Sequence, residues 1–195
     1  MREDIKSKVE AEAAQKIAAS IPRTNVLAFS LVRQVRWGEI GGTKFGPVSA
    51  KSGAGQTGVG KQTVKYRDWQ PSRKAAGAVR GGALVPGWWI VLPEKLAEKG
   101  AQSPHVKWGS APTANSLRLV PYRLDQGYEG SKRNSFYIHG TGGKGSDGCI
   151  LVEPAHRTVL VDLVSGNQGA WLYAYVSGTE LNEALEKSRR FDRTA

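Results

Sequence analysis

The chain contains a single cysteine, Cys149, and it follows one of only three histidines, His139, by ten residues. The segment between them, GTGGKGSDG, is mostly glycine. A thiolate is the strongest ordinary side-chain nucleophile, but a free thiol ionises near pH 8.5, so only a few per cent is thiolate at neutral pH. An imidazole within reach takes the thiol proton and can later return it to a leaving amine. The chemistry this pair suggests is nucleophilic attack by the thiolate, with proton transfer through the imidazole.

The neighbouring residues suit that chemistry. Gly148, directly before the cysteine, lets the backbone turn sharply and come close to a substrate. The peptide N–H groups of Gly148, Cys149 and Asp147 could face a developing oxyanion. Ser146 could hold the loop by a local hydrogen bond. No acidic residue sits beside His139, so the Gly140 carbonyl is the nearest group able to orient the imidazole. Taken singly, a lone cysteine is usually a small buried hydrophobe, and a lone histidine is usually structural. The combination points to catalysis. His105, in a polar stretch, and His156, just after Pro154, are read as surface or structural residues.

Positioning the pair requires strands. Phe136-Tyr137-Ile138 before His139 and Ile150-Leu151-Val152 after Cys149 are β-branched and aromatic. If they pair as an antiparallel hairpin, the two reactive side chains face each other. Further strands are expected at Val26–Val35, Trp88–Leu92, Leu117–Tyr122 and Trp171–Val176. The apolar run His156–Val164 fits a short helix or a strand. Residues 3–20 read as a helix stopped by Pro22. Residues 179–192 read as another, with Glu180 and Glu183 in the first turn, where they suit the helix dipole. Gly41 to Gly60 is glycine-rich and reads as loop and turn. The expected organisation is an N-terminal helical segment over 1–22, a mainly β catalytic domain over 23–178 and a C-terminal helix over 179–195. The β-domain is expected to be a sandwich or open barrel.

Composition narrows the class. With 195 residues, 39% of them apolar, a single domain can bury a core without covalent staples. One cysteine excludes an internal disulfide and a cysteine-rich metal site. The N-terminal stretch lacks the apolar run of a signal peptide, and no segment is long and apolar enough to span a membrane. The expectation is therefore a chain made in the cytoplasm, with no membrane insertion. The formal net charge is +11. Residues 1–20 and 179–195 each carry four basic and four acidic side chains, so the excess belongs to 21–178. A basic body favours a polyanion (nucleic acid, an anionic membrane or an anionic cell wall) or simply aids solubility.

The segments Ile138-His139-Gly140 and Ser146-Asp147-Gly148-Cys149-Ile150 resemble the catalytic signature of L,D-transpeptidase (YkuD-like) domains. The loop is shorter than in housekeeping members and resembles that of the L,D-transpeptidase effectors exported by type VI secretion systems. Ser52-Gly53 is similar to an upstream Ser-Gly turn of that group. The run from Gly82 to Ile90 is similar to one of its strand starts, and Leu117 to Pro121 to the strand before the catalytic segment. The likeness covers roughly residues 26–177. Three positions depart from the pattern. Leu151 and Val152 follow Cys-Ile, where Arg or Asn is common. Asp147 stands where His is common; beside the nucleophile it would disfavour a thiolate, or it could bind a cationic group of the stem peptide. The basic segment Arg67 to Arg80 has no counterpart.

The resemblance implies that Cys149 attacks the carbonyl of the third residue of a peptidoglycan tetrapeptide stem, with His139 as base. Water then resolves the acyl-enzyme, or an amine does. It implies neither a metal nor an organic cofactor. Ser52, Tyr122 and Tyr137 are the candidate substrate contacts. The implied setting is an antibacterial effector, secreted without a cleaved signal and acting in the periplasm of a target bacterium. Its partners would be stem peptides, a cognate immunity protein and a component of the secretion system.

Other readings make different predictions. A papain-like or amidase-type hydrolase usually places the cysteine before the histidine, on a helix N-terminus. A basic β-module could grip nucleic acid or glycan with Trp37, Trp69, Trp88, Trp89, Trp108 and Trp171 as platforms, although Trp88-Trp89 in a strand puts one ring on each face. Nucleic acid is the less favoured partner. A wall-binding descendant without activity is the third reading, against which the intact His139 and Cys149 argue.

Overall fold

The computed structural model describes residues 16–31, 35–52, 84–93, 116–124, 136–140, 148–175 and Asn182. Among the described residues, eight strands form the body: β1 (Val26–Ser30), β2 (Val35–Ile40), β3 (Thr43–Ser52), β4 (Gly87–Pro93), β5 (Leu117–Leu124), β6 (Phe136–His139), β7 (Ile150–Val152) and β8 (Ala170–Tyr175). A helix, Pro154–Gly166, lies between β7 and β8. The fold is mainly β, and the sheet closes completely in the order β1-β2-β3-β7-β6-β5-β4-β8. The expected sandwich or open barrel is thus a closed barrel, in which each described strand is paired on both sides.

Alternation along each strand fills the interior. Leu27 and Phe29 of β1, Phe45, Val48 and Ala50 of β3, Trp89 and Val91 of β4, and Leu117 and Leu119 of β5 all join one buried cluster. Phe136 and Ile138 of β6, Ile150 and Val152 of β7, and Leu172 and Ala174 of β8 also belong to it. The helix adds Leu160 and Val164. Trp89 is fully buried, donates its indole N–H to the Val85 carbonyl at 3.0 Å and meets Phe136 edge-on at 4.9 Å. Trp89→Ala is expected to cost about 3–5 kcal/mol, read as a shift of the urea unfolding midpoint.

The outer face of β4 and β8 carries an aromatic band. Trp88 lies 6.4 Å from Trp171 and 4.9 Å from Tyr173, and Trp37 lies 5.7 Å from Tyr175. Ala18 and Ile21 cover part of this face, packing with Ile90 and Trp171. Residues 16–20 are helical, so the described end of the expected N-terminal helix has a packing role. The rest of that helix lies outside the described residues. So does the C-terminal one, apart from Asn182, which is helical.

Three local expectations change. The run expected as one strand, Val26–Val35, is two: β1 ends at Ser30, and Val35 opens β2, which returns antiparallel to it. The glycine-rich stretch after Gly41 holds the ten-residue strand β3, whose buried positions are Phe45, Val48, Ala50 and Ser52. The ambiguous run at His156 is helical, with Pro154 in the first turn, where its missing N–H costs nothing.

Arg36 is the unusual interior residue. It pairs with Phe29 on β1 and Val48 on β3, both core residues, so its side chain shares their face. It is fully buried, and none of its three guanidinium nitrogens has a hydrogen-bond partner among the described residues. The Phe45 ring lies 5.4 Å from the guanidinium carbon, a partial compensation. Burial pulls the pKa down to about 9, which still leaves the group charged at neutral pH. A base held lower in the folded than in the unfolded chain destabilises the fold at all pH values below about 9, and that penalty is relieved as pH rises further. Arg36→Met is therefore expected to stabilise the barrel by about 1–4 kcal/mol at neutral pH. Urea unfolding should show that gain shrinking above pH 9.

Candidate active site

His139 ends β6, and Cys149 immediately precedes β7. The two strands are neighbours, but they run parallel, with Ile138 opposite Ile150 and His139 opposite Leu151. The expected antiparallel hairpin is therefore corrected. Parallel neighbours ordinarily need a crossover of a dozen or more residues. Here β6 and β7 overlap only at their tips, because β7 starts almost level with the end of β6. The intervening chain has only to leave β6 and come back beside it. Antiparallel pairing holds the other flanks: β5 to β6 through Leu117–Ile138, and β3 to β7 through Ser52–Ile150.

Parity then decides which side chains meet. Phe136, Ile138, Ile150 and Val152 point into the barrel. Tyr137, His139 and Leu151 take the outer face, and continuing the alternation one residue back adds Cys149. Both His139 and Cys149 are buried, 6% and 3% exposed, yet neither belongs to the interior cluster. Directly opposite His139 is Leu151, so Cys149 is its diagonal neighbour. Diagonal residues on one sheet face are about 7–8 Å apart, a span an imidazole and a thiol can bridge.

The imidazole is oriented by the chain itself. His139 Nδ1 lies 3.0 Å from the Gly140 carbonyl oxygen in a buried contact. A carbonyl only accepts, so Nδ1 carries the proton in this contact. In the neutral ring, that leaves the Nε2 lone pair as the base.

Gly148 is buried with φ +104°, a conformation that an L side chain rarely adopts. The turn therefore requires glycine directly before Cys149. Ser52, 4% exposed at the end of β3, donates from Oγ to the Gly148 carbonyl at 3.2 Å and accepts the Leu84 N–H at 2.8 Å. Its hydroxyl thus braces the turn that precedes Cys149.

Tyr137 is half-buried on the His139 face, beside Arg118 of β5. Tyr122 is elsewhere. It lies five residues along β5 from Leu117, which pairs with Ile138, or about 16 Å of strand. There it packs edge-on against Trp171 at 4.9 Å, so the barrel does not bring Tyr122 to His139 and Cys149. His156 is exposed in the first turn of the helix. Asp147, Ser146, His105 and the basic segment 67–80 lie outside the described residues. Leu84 is the contributor that sequence reasoning passed over, since a backbone N–H carries no sequence signal of its own.

No protein-family model matches the chain, and no curated protein matches it. Among solved structures, it is similar to the L,D-transpeptidase (residues 123–326) from Xylanimonas cellulosilytica, with TM-score 0.40 and 18% identity, over 80% of this chain and 63% of that one. It is also similar to Bd1075 of Bdellovibrio bacteriovorus, with TM-score 0.49 and 15% identity, over 88% of this chain and 56% of that one. The chain thus spans less than two thirds of either structure's length.

Proposed function

We propose that the protein is a cysteine-dependent peptidoglycan enzyme acting on tetrapeptide stems, an L,D-carboxypeptidase, an L,D-transpeptidase or both. The observation that carries this reading is the β6–β7 register, which sets Cys149 diagonal to His139, with the imidazole held by Gly140 and a left-handed Gly148 before the thiol. The Cys149 sulfur attacks the carbonyl carbon between the third residue and the terminal D-alanine. A C–S bond forms as the C–N bond breaks. The thiol proton passes to His139 and then to the departing amine. Water next cleaves the thioester to a tripeptide acid. Alternatively, the amine of another stem or of a free D-amino acid takes the acyl group.

Two features support this over the other readings. Cys149 directly precedes a strand, and the nearest described helix begins only at Pro154, unlike the helix-borne nucleophile of a papain-like hydrolase. Trp89 and Trp171 are buried, while Trp37 and Trp88 are half-buried against other aromatic rings. These four are spent on packing, not held out as stacking platforms. The finer proposal is an exported antibacterial effector acting in a target's periplasm and neutralised by an immunity partner. It rests on the short signature loop alone.

The test is incubation of purified tetrapeptide fragments with the protein, followed by mass spectrometry. Stems shortened to tripeptides, or carrying a supplied D-amino acid in place of D-alanine, are expected. Unchanged stems with a protein shown to be folded by circular dichroism would sink the proposal.

A further inference from the structure

The Ser52 hydroxyl has one proton to give, and two of its contacts show where that proton goes. The Leu84 N–H can only donate and the Gly148 carbonyl can only accept. Ser52 Oγ therefore receives from Leu84 and donates to Gly148, at 2.8 and 3.2 Å. Both contacts are buried, and they join residues 32 and 96 positions apart from Ser52 in sequence.

The Gly148 carbonyl belongs to the peptide unit whose N–H is that of Cys149. The unit is planar and trans, so its C=O and N–H point in opposite directions. Turning the carbonyl toward Ser52 turns the Cys149 N–H away from it. Gly148 itself, at φ +104°, has no side chain to hold the unit in place. The hydroxyl supplies that hold, and by polarising the carbonyl it also strengthens the N–H as a donor.

We infer that Ser52 is a positioning residue for acyl transfer: through the Gly148 carbonyl it aims the Cys149 peptide N–H at the oxyanion that forms when Cys149 attacks an acyl carbon. The inference extends the reading of Cys149 as nucleophile under the proposed function. It assigns Ser52 a role distinct from substrate contact. The anchor is rigid, because Leu84 and Val85 are fully buried in the barrel cluster and the Val85 carbonyl receives the Trp89 indole.

The test compares two reactions of Cys149. Acylation by p-nitrophenyl acetate passes through an oxyanion; alkylation by iodoacetamide needs the thiolate but makes no oxyanion. In the full-length protein, Ser52→Ala is expected to slow acylation about tenfold or more. That is less than the 10²–10³ lost when an oxyanion donor is removed outright. The alkylation rate should stay within about twofold, because the thiol and His139 are untouched. Ser52→Thr, which keeps the hydroxyl, should restore the ratio. Equal loss of both rates would mean a general loosening of the turn and would overturn the inference. So would an unchanged ratio, with or without a raised KM for stem peptides. Because the ester reports on the oxyanion directly, a protein that ignores stem peptides yet shows the predicted ratio would refute the stem-peptide function while supporting the role of Ser52.

Discussion

Cys149→Ala is expected to reduce release of D-alanine from tetrapeptide stems by at least about 10⁴-fold, the scale seen when a covalent nucleophile is removed. No second thiol in the chain could take its place. The fold should survive. Cys149 is buried but lies outside the interior cluster, one residue before β7, and the ladder pairs of β7 begin at Ile150. Removing one sulfur there should cost about 1 kcal/mol, an ordinary value for a point change. Activity and urea unfolding measured on the same preparation separate the two effects. A variant that unfolds cooperatively near the wild-type midpoint and still releases D-alanine would rule out the thiol as nucleophile.

The second large effect is expected at His139. Replacement by glutamine removes the base while keeping a polar side chain of similar reach, and turnover should fall by three orders of magnitude or more. The variant should be distinguishable from a merely misfolded one by its pH profile. Without the imidazole to take the proton, its rate should climb with pH until the range in which an ordinary thiol ionises, about 8.5. Steady-state rates from pH 6 to 9 provide the check. A variant with the wild-type profile, only scaled down, would mean that His139 does not handle the thiol proton.

The candidate site residues were legible in the sequence because they are marked by residue type. A lone cysteine, a histidine ten residues before it and a glycine directly before the cysteine are visible in one dimension. Strands with strong local patterns, such as those around Trp89 and Leu117, were legible for the same reason. The pairing was not. Whether β6 and β7 run parallel depends on β3 and β5 clasping their outer sides, and those contacts are remote in sequence. Closure of the barrel by β8 against β1 and β4 is equally non-local. Glycine density hid β3, although a strand tolerates glycine and proline where the chain bends. Arg36 escaped because polarity in VRWGEI argues for Trp37 inside and the charge outside, whereas the register puts Arg36 and Ile40 in the interior and Trp37 against Tyr175. A serine such as Ser52 looks the same in sequence whether it meets substrate or braces a backbone carbonyl. Only the positions of Leu84 and Gly148 separate the two.

The most direct test of the account is to trap its covalent intermediate. Tetrapeptide stems are incubated with the protein and hydroxylamine, and the products are resolved by mass spectrometry. An acyl group carried on Cys149 must partition between water and the stronger nucleophile. The account predicts that the tripeptide hydroxamate appears alongside the tripeptide acid as D-alanine is released, and that neither forms with Cys149→Ala. Release of D-alanine with the tripeptide acid as the sole product, however much hydroxylamine is added, would contradict it.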